Sequence, residues 1–265
     1  MARHVSTKSN FIWWGLLGHL ILLGPLGIHE LVSVSSWSTE LIIAIVITAI
    51  ANSLYFICLR RAYHYAHVAL VYPLARSSPI LIALWALLLF DENLSLTGWI
   101  GVFISVAGLW LLSLTAKQGN AKRAVPWALA AALFTSIYSL SDKVAVTHLP
   151  SFTSLLGFVS IGYFASFILL SLDNWKTNGR VIPSTRPPWR YVIPGSLFIG
   201  TSYALVIQAM IFLPAAYVVS LTNMGIVIAT LISITIMHER TAWRSRLASI
   251  VVVLFGLFVI GFDRI

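Results

Sequence analysis

Charged side chains are scarce in this chain. Only 9% of its 265 residues are Asp, Glu, Lys or Arg, and 59% are hydrophobic. Soluble domains average about 25% charged residues, so the composition excludes a soluble globular fold. The few charges lie in short clusters between long apolar runs, as in a polytopic helical membrane protein. The alternating segments of roughly 10 residues that mark a transmembrane barrel are absent.

Sequence motifs of several other protein classes are also missing. The single cysteine, Cys58, excludes a disulfide framework and a cysteine-based metal site within the chain. No GxxxxGK(S/T) loop, HExxH helix or GxSxG elbow occurs, which argues against an ATP-driven pump, a membrane protease and a serine hydrolase. We therefore predict no enzymatic activity and no cofactor. The basic residues do not indicate a nucleic-acid partner, because they lie beside apolar runs.

Nine apolar stretches each approach the roughly 20 residues that cross the hydrocarbon core of a bilayer. They cover about 11–31, 39–59, 67–90, 96–115, 125–146, 151–172, 191–212, 215–237 and 246–262. Most of the links between them are short, so almost nothing remains for a soluble domain. The sequence predicts an all-α membrane protein with about nine transmembrane helices.

The distribution of basic residues predicts the orientation. Fourteen of the 17 lysines and arginines fall on one set of alternate helix ends, and the opposite set holds only Arg264. The fourteen are Arg3, Lys8, Arg60, Arg61, Lys117, Lys122, Arg123, Lys176, Arg180, Arg186, Arg190, Arg240, Arg244 and Arg246. Basic loops stay in the cytoplasm, so we expect the N-terminus inside and the C-terminus outside.

An internal repeat is visible at an offset of 147 residues, where the segment 61–76 aligns with 208–223. Each copy continues through an apolar helix and a charged corner into a final helix with a late glycine, Gly108 or Gly256. Under the predicted orientation the two corners fall on opposite membrane faces. The repeat is therefore predicted to be inverted, an arrangement of many secondary transporters with a site near the membrane midplane.

These residues resemble the drug/metabolite transporter superfamily, specifically its EamA-type members. The resemblance is carried by Ala62 through Pro73, Ser78-Pro79, Glu92 followed by Gly101 and Gly108, and the second copy from Ala209 to Gly256. It implies two repeats of five helices around a central cavity. Here the first domain, 1–116, offers four helices and the second, 125–265, offers five. The family's first helix would lie upstream of Met1, so we expect either a nine-helix variant or an incomplete start.

Arg76 is the strongest candidate for a functional residue. It lies about ten residues into the span 67–90, between Pro73 and Pro79. An arginine in mid-helix costs about 2.5–3.5 kcal/mol on insertion, so it should face a cavity or a partner, and the prolines can open the helix there. We expect the guanidinium to bind a carboxylate or phosphate of a substrate. The alternative is a structural contact with a buried acid or with carbonyls.

Uncharged polar side chains on the predicted spans are further candidate substrate contacts. They are Asn52, Tyr72, Tyr138, Tyr203, Gln208 and Asn223. Asn223 aligns with Arg76 across the repeat, and together with Gln208 and Tyr203 it would complete the site from the second half. Hydrogen bonds between helices are the alternative explanation.

Lys143 and Asp142 are predicted to act in coupling or gating. Both lie near the outer end of the span 125–146, and as neighbours on a helix they point about 100° apart and need not pair. A lysine that reaches the interface from a helix end is the alternative. The sequence places no carboxylate clearly at mid-membrane.

Together these features predict a secondary transporter for a small polar or anionic metabolite that works by alternating access, and the resemblance implies that it is an exporter. The resemblance implies that the proton gradient or the substrate's own gradient drives transport. A flippase for lipid-linked sugars and a non-transporting scaffold subunit are the alternatives. We expect a multi-pass protein of the bacterial inner membrane, a monomer or homodimer, whose partners are a small-molecule substrate and the lipid bilayer. No metal site is predicted.

Overall fold

The computed structural model describes residues 5–34, 36–116 and 119–263. Within these ranges the chain forms twelve α-helices and no β-strand, so the predicted all-α fold is confirmed. Arg3, Lys117 and Arg264, which contribute to the predicted orientation, lie outside the described residues.

The helices follow one another with short connections. They are α1 (Val5–Leu22), α2 (Gly24–Val34), α3 (Thr39–Tyr65), α4 (Val68–Ala75), α5 (Pro79–Phe90), α6 (Leu96–Leu114), α7 (Ala121–Val146), α8 (Phe152–Asn178), α9 (Trp189–Ala209), α10 (Ala215–Thr222), α11 (Met224–Thr235) and α12 (Trp243–Phe262).

The described residues contain eight helical spans that are long and apolar enough to cross a membrane. Two of these, Val68–Phe90 and Ala215–Thr235, each consist of two consecutive helices. A ninth span is obtained if Asn10–Leu22 and Gly24–Ser33, which are bent by 54° relative to each other, count as one. The prediction of about nine transmembrane helices is confirmed.

The bend between α1 and α2 has a local cause in Pro25. Proline lacks a backbone N–H, and its ring clashes with the carbonyl four residues earlier, so the helix cannot run straight through it. Backbone hydrogen bonds continue on either side, from Leu23 N to His19 O at 2.9 Å and from Gly27 N to Leu23 O at 3.0 Å. The chain therefore changes direction with few unpaired backbone groups.

Helix boundaries recur at the 147-residue offset of the sequence repeat. The bounds of α4 and α10 differ by this offset at both ends, and the first residues of α6 and α12 differ by it as well. The same order of elements is thus built twice, with a short helix, a break, a second helix and a final helix. The domain boundaries themselves, 1–116 and 125–265, stay a prediction.

Contacts divide the chain into two compact units that differ from the two halves of the sequence. Unit 1 comprises Met1–Arg60 and Ile137–Phe212, and unit 2 comprises Arg61–Ser136 and Leu213–Ile265. Each unit therefore contains helices from both sequence repeats.

Small residues allow the helices of unit 1 to approach closely. A Cβ added to Gly27 in α2 would lie 2.6 Å from the backbone nitrogen of Gly157 in α8, and one added to Gly200 in α9 would lie 1.9 Å from the His19 ring in α1. Lipid tails are as apolar as leucine, so close packing of this kind, rather than hydrophobic burial, holds membrane helices together.

Close packing at glycine residues also holds α6 against α12 in unit 2. A Cβ on Gly256 would lie 2.3 Å from the backbone nitrogen of Ser105, and a Cβ on Gly108 would lie 2.6 Å from that of Val253. Because the nearest atoms are backbone rather than flexible side chains, neither helix can yield without shifting as a whole.

Replacing Gly256 by Ala is expected to lower the melting temperature of the purified protein. The added methyl group has no space against the backbone of Ser105, and overpacking typically costs about 1–3 kcal/mol. Thermal unfolding in detergent measures the effect. Gly261→Ala in the same helix is the matched control, because a Cβ there would meet no atom within 4 Å. Equal melting temperatures for the two variants would show that α6 and α12 do not pack closely at this point.

Candidate functional site

Unit 2 contains two membrane-spanning helices that are interrupted at equivalent positions. The first break, residues 76–78, separates α4 from α5, and the second consists of Asn223 between α10 and α11. Pro79 opens α5 at a position where its missing N–H is tolerated, and it cannot donate to the carbonyl of Ala75. No proline interrupts the second helix, which tightens locally with a hydrogen bond from Ile226 N to Asn223 O at 2.9 Å.

The Arg76 side chain links the two breaks. Its Nε and Nη2 atoms donate to the Tyr72 hydroxyl at 3.1 and 2.9 Å, and its Nη1 donates to Thr222 Oγ1 at 3.3 Å. The guanidinium carbon lies 5.3 Å from the centroid of the Tyr72 ring, within the range of a cation–π contact. A positive group is therefore held beside Thr222, the residue that precedes the second break.

Two buried polar side chains at these breaks have no hydrogen-bond partner among the described residues. Asn223 and Ser78 are both completely buried, and neither the amide atoms of Asn223 nor the hydroxyl of Ser78 is paired. A buried polar group without a partner costs about 1–3 kcal/mol, so such groups are rare and need an explanation. A polar ligand or ordered water at the breaks would supply the missing hydrogen bonds.

A second polar cluster lies in unit 1 around Asp142 of α7. This residue is completely buried. Thr48 Oγ1 in α3 donates to its Oδ1 at 2.6 Å, and the Tyr203 hydroxyl in α9 donates to its Oδ2. The Tyr203 ring lies edge-on to Tyr138 with a centroid separation of 5.9 Å, and Tyr138 lies edge-on to Tyr55 at 5.8 Å. One carboxylate therefore connects three helices.

The Asp142 carboxylate lies deeper than its position along α7 indicates. It stands four residues before the last residue of that helix, which led the sequence analysis to place it near the outer end of the span. Its partner Thr48, however, lies nine residues after the first residue of α3, or about 13 Å along the helix. Measured along α3, the carboxylate therefore lies farther from a helix end than its position along α7 indicates.

The other predicted site residues of unit 1 have different surroundings. Asn52 is buried and its Oδ1 accepts a hydrogen bond from Ser166 at 3.4 Å. Gln208 is half-buried near the end of α9. Lys143 is also half-buried and follows Asp142 in α7.

The predicted site residues are thus divided by unit into two groups. Unit 1 contains Asn52, Tyr138, Asp142, Lys143, Tyr203 and Gln208, and unit 2 contains Tyr72, Arg76 and Asn223. Sequence reasoning missed Thr48 and Ser78 as members of these groups. Ser78 could have been noticed because it lies between Arg76 and Pro79, whereas nothing in the sequence around Thr48 indicates which helix it faces.

The amide of Asn223 provides a test of this description. Asn223→Leu is expected to raise the melting temperature of the ligand-free protein, by an amount that corresponds to about 1–3 kcal/mol, because it removes buried groups that lack partners. The matched control is Asn52→Leu, which breaks the contact with Ser166 and should destabilise. If Asn223→Leu destabilises as much as Asn52→Leu, the Asn223 amide is paired in the ligand-free protein.

Comparison with known proteins identifies relatives at the level of a family and a fold. The model of the EamA-like transporter family matches residues 1–114 and 122–262. Among solved structures, a chain described as "Crystal structure of protein" superposes with a TM-score of 0.71 at 19% sequence identity, covering 97% of this chain and 91% of that one. This similarity concerns the fold alone. No curated protein matches the chain.

Proposed function

We propose that this protein exports a small polar or anionic metabolite by alternating access. The chain belongs to the EamA-like transporter family and is therefore a multi-pass membrane transporter of the drug/metabolite transporter superfamily. The observation that carries the proposal is the contact of Arg76 with Thr222, which brings the two helix breaks of unit 2 together. The protein is proposed to reside in the bacterial inner membrane with its basic loops in the cytoplasm.

The helix breaks favour an anionic group on the substrate. In a bilayer, an interrupted helix is tolerated only where the protein or a water-filled cavity covers the opened backbone. The N-terminus of a helix carries a partial positive charge that attracts anions, and α11 begins at Met224, immediately after Asn223. The Arg76 guanidinium adds a full charge and paired donors that match a carboxylate or phosphate.

Each residue at the breaks has a distinct proposed role. Arg76 binds the anionic group, and Tyr72 orients the guanidinium through the two hydrogen bonds that its hydroxyl accepts. Asn223 and Ser78 pair with uncharged polar groups of the substrate, because their own polar atoms have no other partner in the described chain.

The residues of unit 1 are proposed to act in two ways. Asn52, Tyr138, Tyr203 and Gln208 are proposed substrate contacts. Gln208 is half-buried, whereas Asn52 is buried and its Oδ1 accepts a hydrogen bond from Ser166. Asp142 and Lys143 are proposed to act in coupling or gating.

Ligand-induced stabilisation tests the substrate class. The purified protein is heated with panels of anionic, zwitterionic and cationic metabolites, for wild type, Arg76→Gln and Arg180→Gln. A ligand at 100 times its Kd adds about 2.7 kcal/mol, so a binding compound raises the melting temperature measurably. We expect anionic or zwitterionic compounds to stabilise wild type and the exposed-loop control Arg180→Gln, but not Arg76→Gln.

Equal stabilisation of Arg76→Gln and wild type would contradict the role of Arg76. Stabilisation by cationic compounds alone would contradict the proposed substrate class. If Arg76→Gln does not fold, Asn223→Leu replaces it, and the same loss of ligand-induced stabilisation is expected.

A further inference from the structure

Asp142 differs from the other acidic residues that the structure describes, because it alone among them is buried. An ionised carboxylate is expensive in a low-dielectric interior unless it is paired or takes up a proton. Within the described part of unit 1 no Lys, Arg or His forms an ion pair with it. The carboxylate lies near the C-terminus of α7, where the helix dipole further disfavours a negative charge.

We propose that Asp142 is a proton-binding site of unit 1, held by Thr48 and Tyr203, and that the proton it takes up and releases is the coupling ion of transport. The site lies entirely within unit 1, whereas the coupling role rests on the proposed transport function.

The two partners of the carboxylate suit both of its protonation states. A hydroxyl group donates one hydrogen bond and accepts others, and its hydrogen rotates to fit. While Asp142 is ionised, Thr48 donates to Oδ1 and Tyr203 donates to Oδ2. When hydronium transfers a proton to Oδ2, one O–H bond of hydronium breaks, one O–H bond forms on the carboxyl group, and water is released. The carboxyl group then donates to the Tyr203 oxygen, and the phenolic hydrogen rotates away from Oδ2.

Titratable groups of five helices lie around the site. By helix they are His19 of α1, Tyr55 of α3, Tyr138 and Lys143 of α7, Tyr163 of α8 and Tyr203 of α9. The tyrosines are neutral phenols. His19 lies 5.1 Å from the Tyr163 ring and its Nε2 lies 3.0 Å from Ser160 Oγ, so its polar contact is with that serine.

The geometry favours a proton over a metal cation. Calcium and magnesium bind six or more oxygen atoms, several of them from carboxylates or water. Both oxygens of Asp142 already accept hydroxyl donors, and in the described ranges no group of three His, Cys, Asp or Glu residues lies close enough to hold a metal ion.

Proton binding would alter the packing of three helices. Asp142 connects α7 to α3 through Thr48 and to α9 through Tyr203, and α7 is also tied to α3 by Ser141, whose hydroxyl donates to Ala44 O at 2.9 Å. A reversed hydrogen bond at Tyr203 weakens the link to α9 while the link to α3 remains. The protonation state of a single residue can thereby favour one helix arrangement over another.

Infrared difference spectroscopy tests the site directly. The protein in lipid is perfused with buffers of alternating acidic and alkaline pH, and the C=O stretch of a protonated carboxyl group is recorded for wild type, Asp142→Asn and Asp173→Asn. Asp173 is the matched control because it is an acid of the same unit, partly exposed and ion-paired with Arg60 at 2.9 Å. We expect one carboxyl band of wild type to be absent from Asp142→Asn and present in Asp173→Asn.

Tyr203→Phe provides a second variant that keeps the carboxyl group. Removing the phenolic hydroxyl takes away a hydrogen-bond partner, so the Asp142 band should move to a different frequency in this variant. The proposal therefore remains testable if Asp142→Asn does not fold.

Three results would overturn the proposal. They are a pH-difference spectrum of Asp142→Asn identical to that of wild type, an unmoved band in Tyr203→Phe, and a carboxyl band that responds to sodium chloride at constant pH but not to pH. The spectrum requires no transported substrate, so its outcome is independent of whether the protein is a transporter.

Discussion

A membrane helix that stops within the bilayer leaves backbone N–H and C=O groups where no water can pair with them. Unit 2 contains two such helices, interrupted at residues 76–78 and at Asn223. Other parts of this unit stabilise the two interruptions. The close glycine contacts of α6 with α12 support the interrupted helices with rigid neighbours. Arg76 reaches from one break to Thr222 at the other. The buried Asn223 amide remains unpaired among the described residues. The breaks therefore offer hydrogen-bond donors and acceptors that no described side chain satisfies.

The two units place their polar groups differently. In unit 2 the polar side chains lie at the two helix breaks, and side-chain donors and acceptors without a partner remain there at Asn223 and Ser78. In unit 1 the helices at Asp142 are continuous, and each oxygen of the carboxylate already has a hydroxyl partner. The first arrangement suits a molecule that arrives with its own hydrogen-bonding groups. The second arrangement suits a carboxyl group that gains and loses a proton while its neighbours stay in place, since hydroxyl partners can pair with both its ionised and its protonated form.

Much of the fold could be predicted from the sequence, because hydropathy and helix length need no knowledge of tertiary contacts. The spans and the break at Arg76, which Pro79 marks, followed from local patterns, and the 147-residue repeat followed from a comparison of the two halves of the sequence. The break at Asn223 has no proline and was not predicted, although the alignment with Arg76 had singled out this residue as a candidate substrate contact. The hydrogen-bond partners of Asp142 could not be predicted, because Thr48 and Tyr203 lie on other helices and no local pattern pairs them with it. Which faces of two apolar helices meet depends on packing that a single sequence does not encode locally.

The central claim is that the broken helices of unit 2 hold the substrate during transport. The most direct measurement is counterflow in proteoliposomes, with a radiolabelled form of a compound that stabilises the purified protein outside and the unlabelled compound inside. The account predicts transient accumulation of label with wild type and with the exposed-loop control Arg180→Gln, and none with Arg76→Gln. Accumulation by Arg76→Gln at the wild-type rate, or binding without any accumulation by wild type, would contradict it.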